Sequence, residues 1–297
     1  MAAWTRAARF ESFTGHSSPV LRWQPQAGAR AQAVFFPPYG DEMNQTRRMF
    51  RLTAEALAAH GIGACLFDLE GTGDSTADFE QASVSAWLDD CRTIVEPLAQ
   101  RTEPLVFIGC RLGAALAVCT STMLARPVAS LIGWAPLWKG AQQLGGLLRA
   151  ARMARLARAQ QAEGASGPAG TGAAALDPKE CWAAGRSAWL AGYPVSARLA
   201  EELEALDASA APRAQRAALF ELRALAVDDP ADVGEAMKTR VRAWSEQGVP
   251  TEATLLQAPS FWNVVDLVDV PELVEATVQA VMASLDRATE SGAGAGS

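Results

Sequence analysis

The stretch most able to support chemistry is Leu105–Val118, which reads LVFIGCRLGAALAV. It is a buried apolar strand, a tight turn and a helix. Its centre, Gly109-Cys110-Arg111-Leu112-Gly113, has the spacing of G-x-S-x-G, in which the middle residue is a serine nucleophile on a strained strand–helix turn. The two glycines stand where the crowding of that turn requires them, and Ala114 lets the helix lie close to the sheet. The middle residue here is Arg111. A guanidinium stays protonated at any working pH and cannot attack a carbonyl. Cys110, beside it, should point away from any pocket, and no histidine is near to activate its thiol.

Acyl transfer through a serine also needs a histidine after the last strand, an acid after an earlier one and N–H donors at the oxyanion. The only histidines are His16 and His60, both in the first quarter of the chain. Where the histidine would stand the chain reads LLQAPSFWNVVD, with Trp262 in its place as a pocket wall or core residue. Asp228 and Asp229 follow a strand candidate, but Asp-Asp-Pro is also an ordinary turn sequence. Two other strand ends are polar and glycine-containing: FFPPYGDEMNQTRR from Phe35 and DLEGTGDSTADF from Asp68. The first is where oxyanion donors lie in such sites. The sequence has no metal-ligand cluster and no phosphate loop, so neither a metal nor a cofactor is expected.

These loops need a scaffold. Apolar runs that read as strands are Val20–Gln24, Ala33–Pro37, Ala64–Leu69, Leu105–Gly109, Ser130–Trp134, Ala217–Leu222 and Ala253–Gln257. Helical patterns fall at Asn44–His60, Ser83–Gln100, Leu112–Leu124, Asp232–Gln247 and Pro271–Arg287. Continuous apolar strands alternating with such helices predict an α/β fold, a parallel sheet covered on both faces. Asn44 is the expected helix cap, and Gly61 and Gly248 the expected helix ends. Between Leu137 and Arg216 the alternation stops, which predicts a helical cap at 137–215 inserted into a core formed by 1–136 and 216–288. The Gly/Ala/Pro run in the cap reads as a mobile loop, and 289–297 as a disordered tail. Arg149, Arg152, Arg155 and Arg158 recur every third residue on the first cap helix, as a solvated face or a surface for anions or membranes.

Composition narrows the classes. Of 297 residues 49% are hydrophobic and 20% charged, enough for a large core. A net charge of −7 argues against a general nucleic-acid binder. Five loosely spaced cysteines read as reduced thiols. With no signal-peptide pattern at the start and no spanning apolar run, the expectation is a soluble cytoplasmic protein.

The segments PPYGDEMNQTRRM, DLEGTGDSTADF, GCRLGAALA, AGYPVSARLAEELEALD and SFW occur in this order. In them the chain resembles the α/β-hydrolase superfamily, and within it the second hydrolase family associated with the exosortase A system. That system accompanies exopolysaccharide gene clusters and PEP-CTERM protein sorting. The similarity runs from about Leu21 to Leu285 and is weakest at Ala162–Leu176. It implies an α/β-hydrolase fold with a helical cap, makes Arg111 and Trp262 family features, and suggests the companion hydrolase of the same system as a partner. It carries over no substrate.

An arginine at a helix N-terminus meets the unfavourable end of the helix dipole, by a few tenths to about 1 kcal/mol. Glu42 in the facing loop is the expected partner for Arg111, ahead of Asp74. The candidate catalytic set is therefore Glu42, Arg111 and Asp74, with Tyr39, Gly40, Arg47, Leu112 and Trp262 as ligand contacts. Three readings stand open. Arg111 grips the carboxylate, phosphate or acidic sugar of an anionic, acyl or glycan ligand. Or Glu42 serves as base or nucleophile of a non-serine hydrolase or acyl transferase, with Arg111 stabilising negative charge. Or Arg111 only ties the loops together in a subunit that works with a partner.

Overall fold

The computed structural model describes residues 3–164, 177–224, 233–264 and 266–294. In chain order the elements are β1 (Trp4–Ser12), β2 (Ser17–Pro25), β3 (Ala31–Phe36), α1 (Asp41–Ala59), β4 (Ile62–Phe67), α2 (Val84–Ala99), β5 (Leu105–Cys110) and α3 (Leu112–Met123). There follow β6 (Ser130–Trp134), α4 (Gly140–Gly164), α5 (Pro178–Ala183), β7 (Ala188–Leu190), β8 (Tyr193–Val195) and α6 (Ala197–Ala205). The chain closes with β9 (Ala217–Arg223), α7 (Glu235–Glu246), β10 (Thr251–Gln257) and α8 (Pro271–Gly294).

Eight strands form one sheet in the order β1-β2-β4-β3-β5-β6-β9-β10. The pairs β1–β2 and β2–β4 are antiparallel; all the others are parallel. The chain thus has the α/β-hydrolase fold. Period-two alternation splits each central strand between two cores. Val34 and Phe36 of β3, with Leu105 and Phe107 of β5, face Trp87 on α2 and Leu116 on α3. Ala33 and Phe35, with Val106, Ile108 and Cys110, face Met49 and Phe50 on α1 and Leu273 on α8.

Register decides what meets at the carboxyl edge of the sheet. Phe36 lies beside Gly109, Cys110 beside Trp134, and Trp134 beside Phe220. The residues that follow these strand ends are therefore neighbours in space, though far apart in sequence. Trp134 fixes this edge further: it is fully buried, and its indole N–H donates to Thr277 Oγ1 on α8 at 3.0 Å.

Several expectations are revised. Helix α1 begins at Asp41, with Gly40 as its N-cap, so Asn44 lies inside the helix and does not cap it. Gly40 has φ 59° and ψ −133°, a turn that sets the helix off directly from the end of β3. Strand β1 was not expected from the sequence. It is an outer strand exposed along almost its whole length, so WTRAARFES shows no apolar alternation. The β7–β8 hairpin is also new. Each strand is only three residues long, too short to leave a periodic signal. Helix α8 continues through Gly294, into the segment whose composition suggested disorder. The run at 165–176, Asp228, Asp229 and the side chain of Arg158 lie outside the described residues. No helix among the described residues is long and apolar enough to cross a membrane.

Candidate functional site

Strand β5 delivers the chain to Arg111, which sits at φ 54° and ψ −122° before α3. For a residue with a side chain this conformation costs about 1–3 kcal/mol, so the surroundings must impose it. They do so through the backbone. The Arg111 N–H donates to Trp134 O at 3.0 Å, and its carbonyl accepts from Ala114 N–H and Leu137 N–H, each at 3.1 Å. The flanking glycines permit the close approach. A Cβ on Gly113 would lie 2.1 Å from Phe36 O, and one on Gly109 2.5 Å from Ala114 Cα.

The Arg111 side chain is held on three sides. Its Nε donates to Glu42 Oε1 at 3.1 Å, and its Nη1 donates to Ala135 O at 3.3 Å. The guanidinium carbon lies 5.2 Å from the ring centroid of Trp262, a cation–π contact. Ala135 is itself at φ 40°, so the carbonyl that receives Nη1 belongs to a second strained turn. Nη2 has no partner among the described residues. The helix ends explain the pairing: Glu42 lies in the first turn of α1, where the dipole favours an anion, and so offsets the cation at the start of α3.

The compensation is incomplete. Glu42 Oε2 is buried without a hydrogen-bond partner among the described residues. Burial raises the Glu42 pKa above its ordinary range, against the opposing pull of Arg111. This carboxyl can therefore take up a proton more readily than a solvated one.

Beside the pair is a cavity of about 620 Å³, bounded by Tyr39, Glu42, Arg111, Arg149, Tyr193 and Trp262 among others. Tyr193 O–H donates to Asp41 Oδ1 at 2.8 Å and ties the β7–β8 hairpin to the start of α1. Tyr39 packs against the rings of Phe79, Trp87 and Tyr193, and its buried hydroxyl has no partner among the described residues. Gln143 on α4 also lines the cavity, with its Oε1 buried and unpartnered. No Ser, Thr, Cys or His is among the described residues that line it.

The structure thus brings Tyr39, Glu42, Arg111 and Trp262 to one cavity. Gly40 adjoins it as the α1 N-cap; a Cβ there would lie 3.1 Å from the Tyr193 ring. Leu112 is buried beneath the turn and does not line the cavity. Arg47 and Asp74 are not among the described residues that line the cavity. Arg47 Nη2 lies 2.8 and 2.7 Å from the two oxygens of Asp68, at the end of β4. The exposed Asp74 donates its backbone N–H to Asp68 Oδ2 at 3.0 Å. Asp68 thus holds the Arg47 guanidinium and the Asp74 backbone. Arg48 pairs with Asp269 on the surface. Cys110 is fully buried toward α1, takes a contact from Thr46 Oγ1 at 3.8 Å, and has its thiol pKa pushed up by burial.

The histidines stand elsewhere. His16 stacks on Phe13 and lies 3.6 Å from Asp90, and His60 caps α1 with Nδ1 2.9 Å from Ala56 O. Gln143 is a site residue that the sequence did not mark; Arg149 was marked only as part of an arginine face, and Tyr193 only as part of a segment of resemblance. They belong to the segment between β6 and β9, and no local pattern ties them to an elbow at Arg111.

The serine aminopeptidase S33 family model matches residues 29–222, from before β3 to near the end of β9. The chain belongs to this family of α/β hydrolases. The residue midway between Gly109 and Gly113, inside the matched region, is Arg111. A mitochondrial palmitoyl-protein thioesterase of Bos taurus, ABHD10, is 27% identical over 134 residues, which cover 44% of this chain and 42% of that protein. The chain therefore matches less than half the length of that relative. Among solved structures, Est1E of Butyrivibrio proteoclasticus with bound ferulic acid superposes with a TM-score of 0.61 at 12% identity, covering 94% of this chain and all of that one. Mouse alpha/beta hydrolase domain-containing protein 10 gives 0.56 at 14% identity, over 95% and 99% of the two chains. At these identities the likeness is one of fold.

Proposed function

We propose that this protein is an α/β-hydrolase-fold binding protein for an anionic acyl or glycan ligand, without a serine nucleophile and of the exosortase-associated type. The observation that carries the reading is the elbow itself. The side chain at the nucleophile position is a guanidinium held by Glu42, Ala135 O and Trp262, beside a cavity whose described lining offers no Ser, Cys or His. A guanidinium oriented in this way binds a carboxylate or phosphate and cannot form an acyl-enzyme. The acyl character of the ligand is supported by the palmitoyl-protein thioesterase relative. In this reading 137–215 is the cap over the ligand, the protein works in the cytoplasm, and the companion exosortase-associated hydrolase is its candidate partner.

A second reading rests on Glu42. A buried carboxyl with a raised pKa, one unpartnered oxygen and an arginine at its side has the makings of an acid–base group. It would serve a hydrolase or acyl transferase that uses Arg111 to stabilise negative charge.

The deciding experiment is a thermal-shift titration of wild type and Arg111→Ala with short carboxylates, acyl-CoA and acidic sugars, with p-nitrophenyl ester turnover read in the same wells. The expected result is stabilisation of wild type alone by an anion, without turnover; a ligand at a hundred times its Kd adds about 2.7 kcal/mol. Turnover abolished in both Arg111→Ala and Glu42→Gln would overturn the binding reading in favour of the enzyme. Neither effect would leave the role of a partner-dependent subunit.

A further inference from the structure

A second cavity, of about 750 Å³, lies between α4 and the β7–β8 hairpin. Its wall is mainly apolar, with Leu148, Ala151, Ala154, Pro178 and Trp189. The aliphatic stems of Arg152 and Lys179 complete it at a charged rim. Trp189 is 70% exposed, the most exposed of the large hydrophobic side chains among the described residues. An indole left in water at a concave apolar wall is a surface awaiting cover.

Two residues, Ala150 and Ala191, line both this cavity and the one beside Arg111. The two cavities therefore adjoin at these residues, Ala150 on α4 and Ala191 in the hairpin turn. Ala191 is held at φ 49° and is followed by Gly192 at φ 87°. A tight hairpin turn with two positive φ values normally takes Asn or Gly at the first position. An alanine is strained there, and backbone strain of this kind is found where geometry serves a site.

The linings differ between the two compartments. The cavity at Arg111 holds Arg149, which has no ionic partner among the described residues, and the unpartnered Nη2 of Arg111. In the second cavity Arg155 is paired with Asp177 at 3.6 Å. Arg152 and Lys179 at the rim of the second cavity also have no ionic partner among the described residues, and Asp41 and Glu42 stand in the first, so the walls tell the compartments apart: polar groups line much of the elbow cavity, and the hairpin cavity is mainly apolar.

We infer that the ligand is an amphiphile whose anionic head lies at Arg111 and Arg149 and whose apolar chain crosses between Ala150 and Ala191 into the second cavity. The inference rests on the anion-binding reading of the elbow and adds to it the shape of the ligand and the residues that set its length. Ala150 is the length-determining residue: it is exposed on α4, so a larger side chain there fills the junction without disturbing a core.

The test is isothermal titration of the full chain with sodium butanoate, octanoate and dodecanoate, each below its micelle concentration. Wild type should bind more tightly with each added methylene, by up to about fourfold per buried group. Ala150→Phe should weaken dodecanoate at least tenfold and leave butanoate within twofold. Trp189→Ala, on the other wall, should also weaken dodecanoate selectively. Arg149→Ala should weaken all three alike. Equal affinity for the three carboxylates, or dodecanoate binding untouched by both Ala150→Phe and Trp189→Ala, overturns the inference and leaves the elbow reading standing. Absence of binding by every carboxylate overturns both.

Discussion

Two arginine–carboxylate pairs lie close together in this molecule, and they are built differently. Arg47 and Asp68 join α1 to the end of β4; Arg111 and Glu42 join the start of α3 to the start of α1. Asp68 is 4% exposed and its oxygens are fully engaged, by Arg47 Nη2 and by the Asp74 N–H. Glu42 is 19% exposed, and one of its oxygens has no partner among the described residues. Arg111 in turn keeps Nη2 unused, rests on Trp262 and borders a cavity. A carboxylate with both oxygens engaged is a fastening. A pair with a donor and an acceptor to spare beside an open volume can take a third participant. The same chemistry 69 residues apart in one case and 21 in the other thus gives structure at one place and a candidate site at the other.

The sharpest way to break this contrast is Asp68→Ala. It removes the acceptor of Arg47 and of the loop through Asp74, and should cost about 2–3 kcal/mol, seen as a lower urea midpoint with unchanged m-value. Carboxylate binding at the elbow should persist in the folded fraction. Arg111→Ala should cost less, about 1 kcal/mol, because Glu42 can protonate once its cation is gone. That variant should lose anion binding. Comparable destabilisation by the two substitutions, with binding retained in Arg111→Ala, would make both pairs fastenings.

Titration separates the acids further. Asp90, beside His16 and under the backbone N–H of Glu70, is a third buried carboxyl, and Asp89 and Glu70 add negative charge nearby. Burial raises its pKa from 3.8 to about 7. Between those values the folded state holds a proton that the unfolded state has released, so stability falls as pH rises from about 4 to about 7. Asp90→Asn should flatten that part of a melting-temperature profile. Glu42 is raised by burial and held back by Arg111, so Arg111→Ala should add a new fall in stability above the ordinary carboxylate range, abolished in Arg111→Ala/Glu42→Gln. An unchanged profile in Arg111→Ala would mean that Glu42 does not feel the arginine.

The smallest expected effect is a null one. Arg111→Ser restores G-x-S-x-G, but no histidine lies at the cavity. p-Nitrophenyl butyrate hydrolysis should stay at the level of wild type, and a serine-directed phosphonate should not label Ser at this position stoichiometrically. Turnover in Arg111→Ser would show a base the geometry does not reveal, with Glu42 the first to substitute.

The core strands, most helices and the elbow were legible in the sequence because their causes are local. An apolar strand alternates or runs continuously, a helix repeats every 3.6 residues, and glycines mark the close approaches at Gly109 and Gly113. Once the α/β-hydrolase strand order is assumed, with β3 beside β5, the loops after these strands adjoin, and this is why Glu42 could be named as the partner of Arg111. Outer elements escaped. Strand β1 is exposed on both faces, and the β7–β8 hairpin is too short for a period.

The sequence by itself determined that an arginine stands midway between Gly109 and Gly113 at a strand–helix turn, that acids follow other strands, and that no histidine follows the last one. Those are facts of residue type at positions that strand order fixes. Only the tertiary structure decided which acid serves which arginine, since Asp68 takes Arg47 and the Asp74 backbone, and Glu42 is left to Arg111. It also decided that Gln143, Arg149 and Tyr193 close over the elbow, and that Ala150 and Ala191 join two cavities. Competition between partners is settled by distances of a few ångströms across the fold, and a one-dimensional pattern carries no record of them.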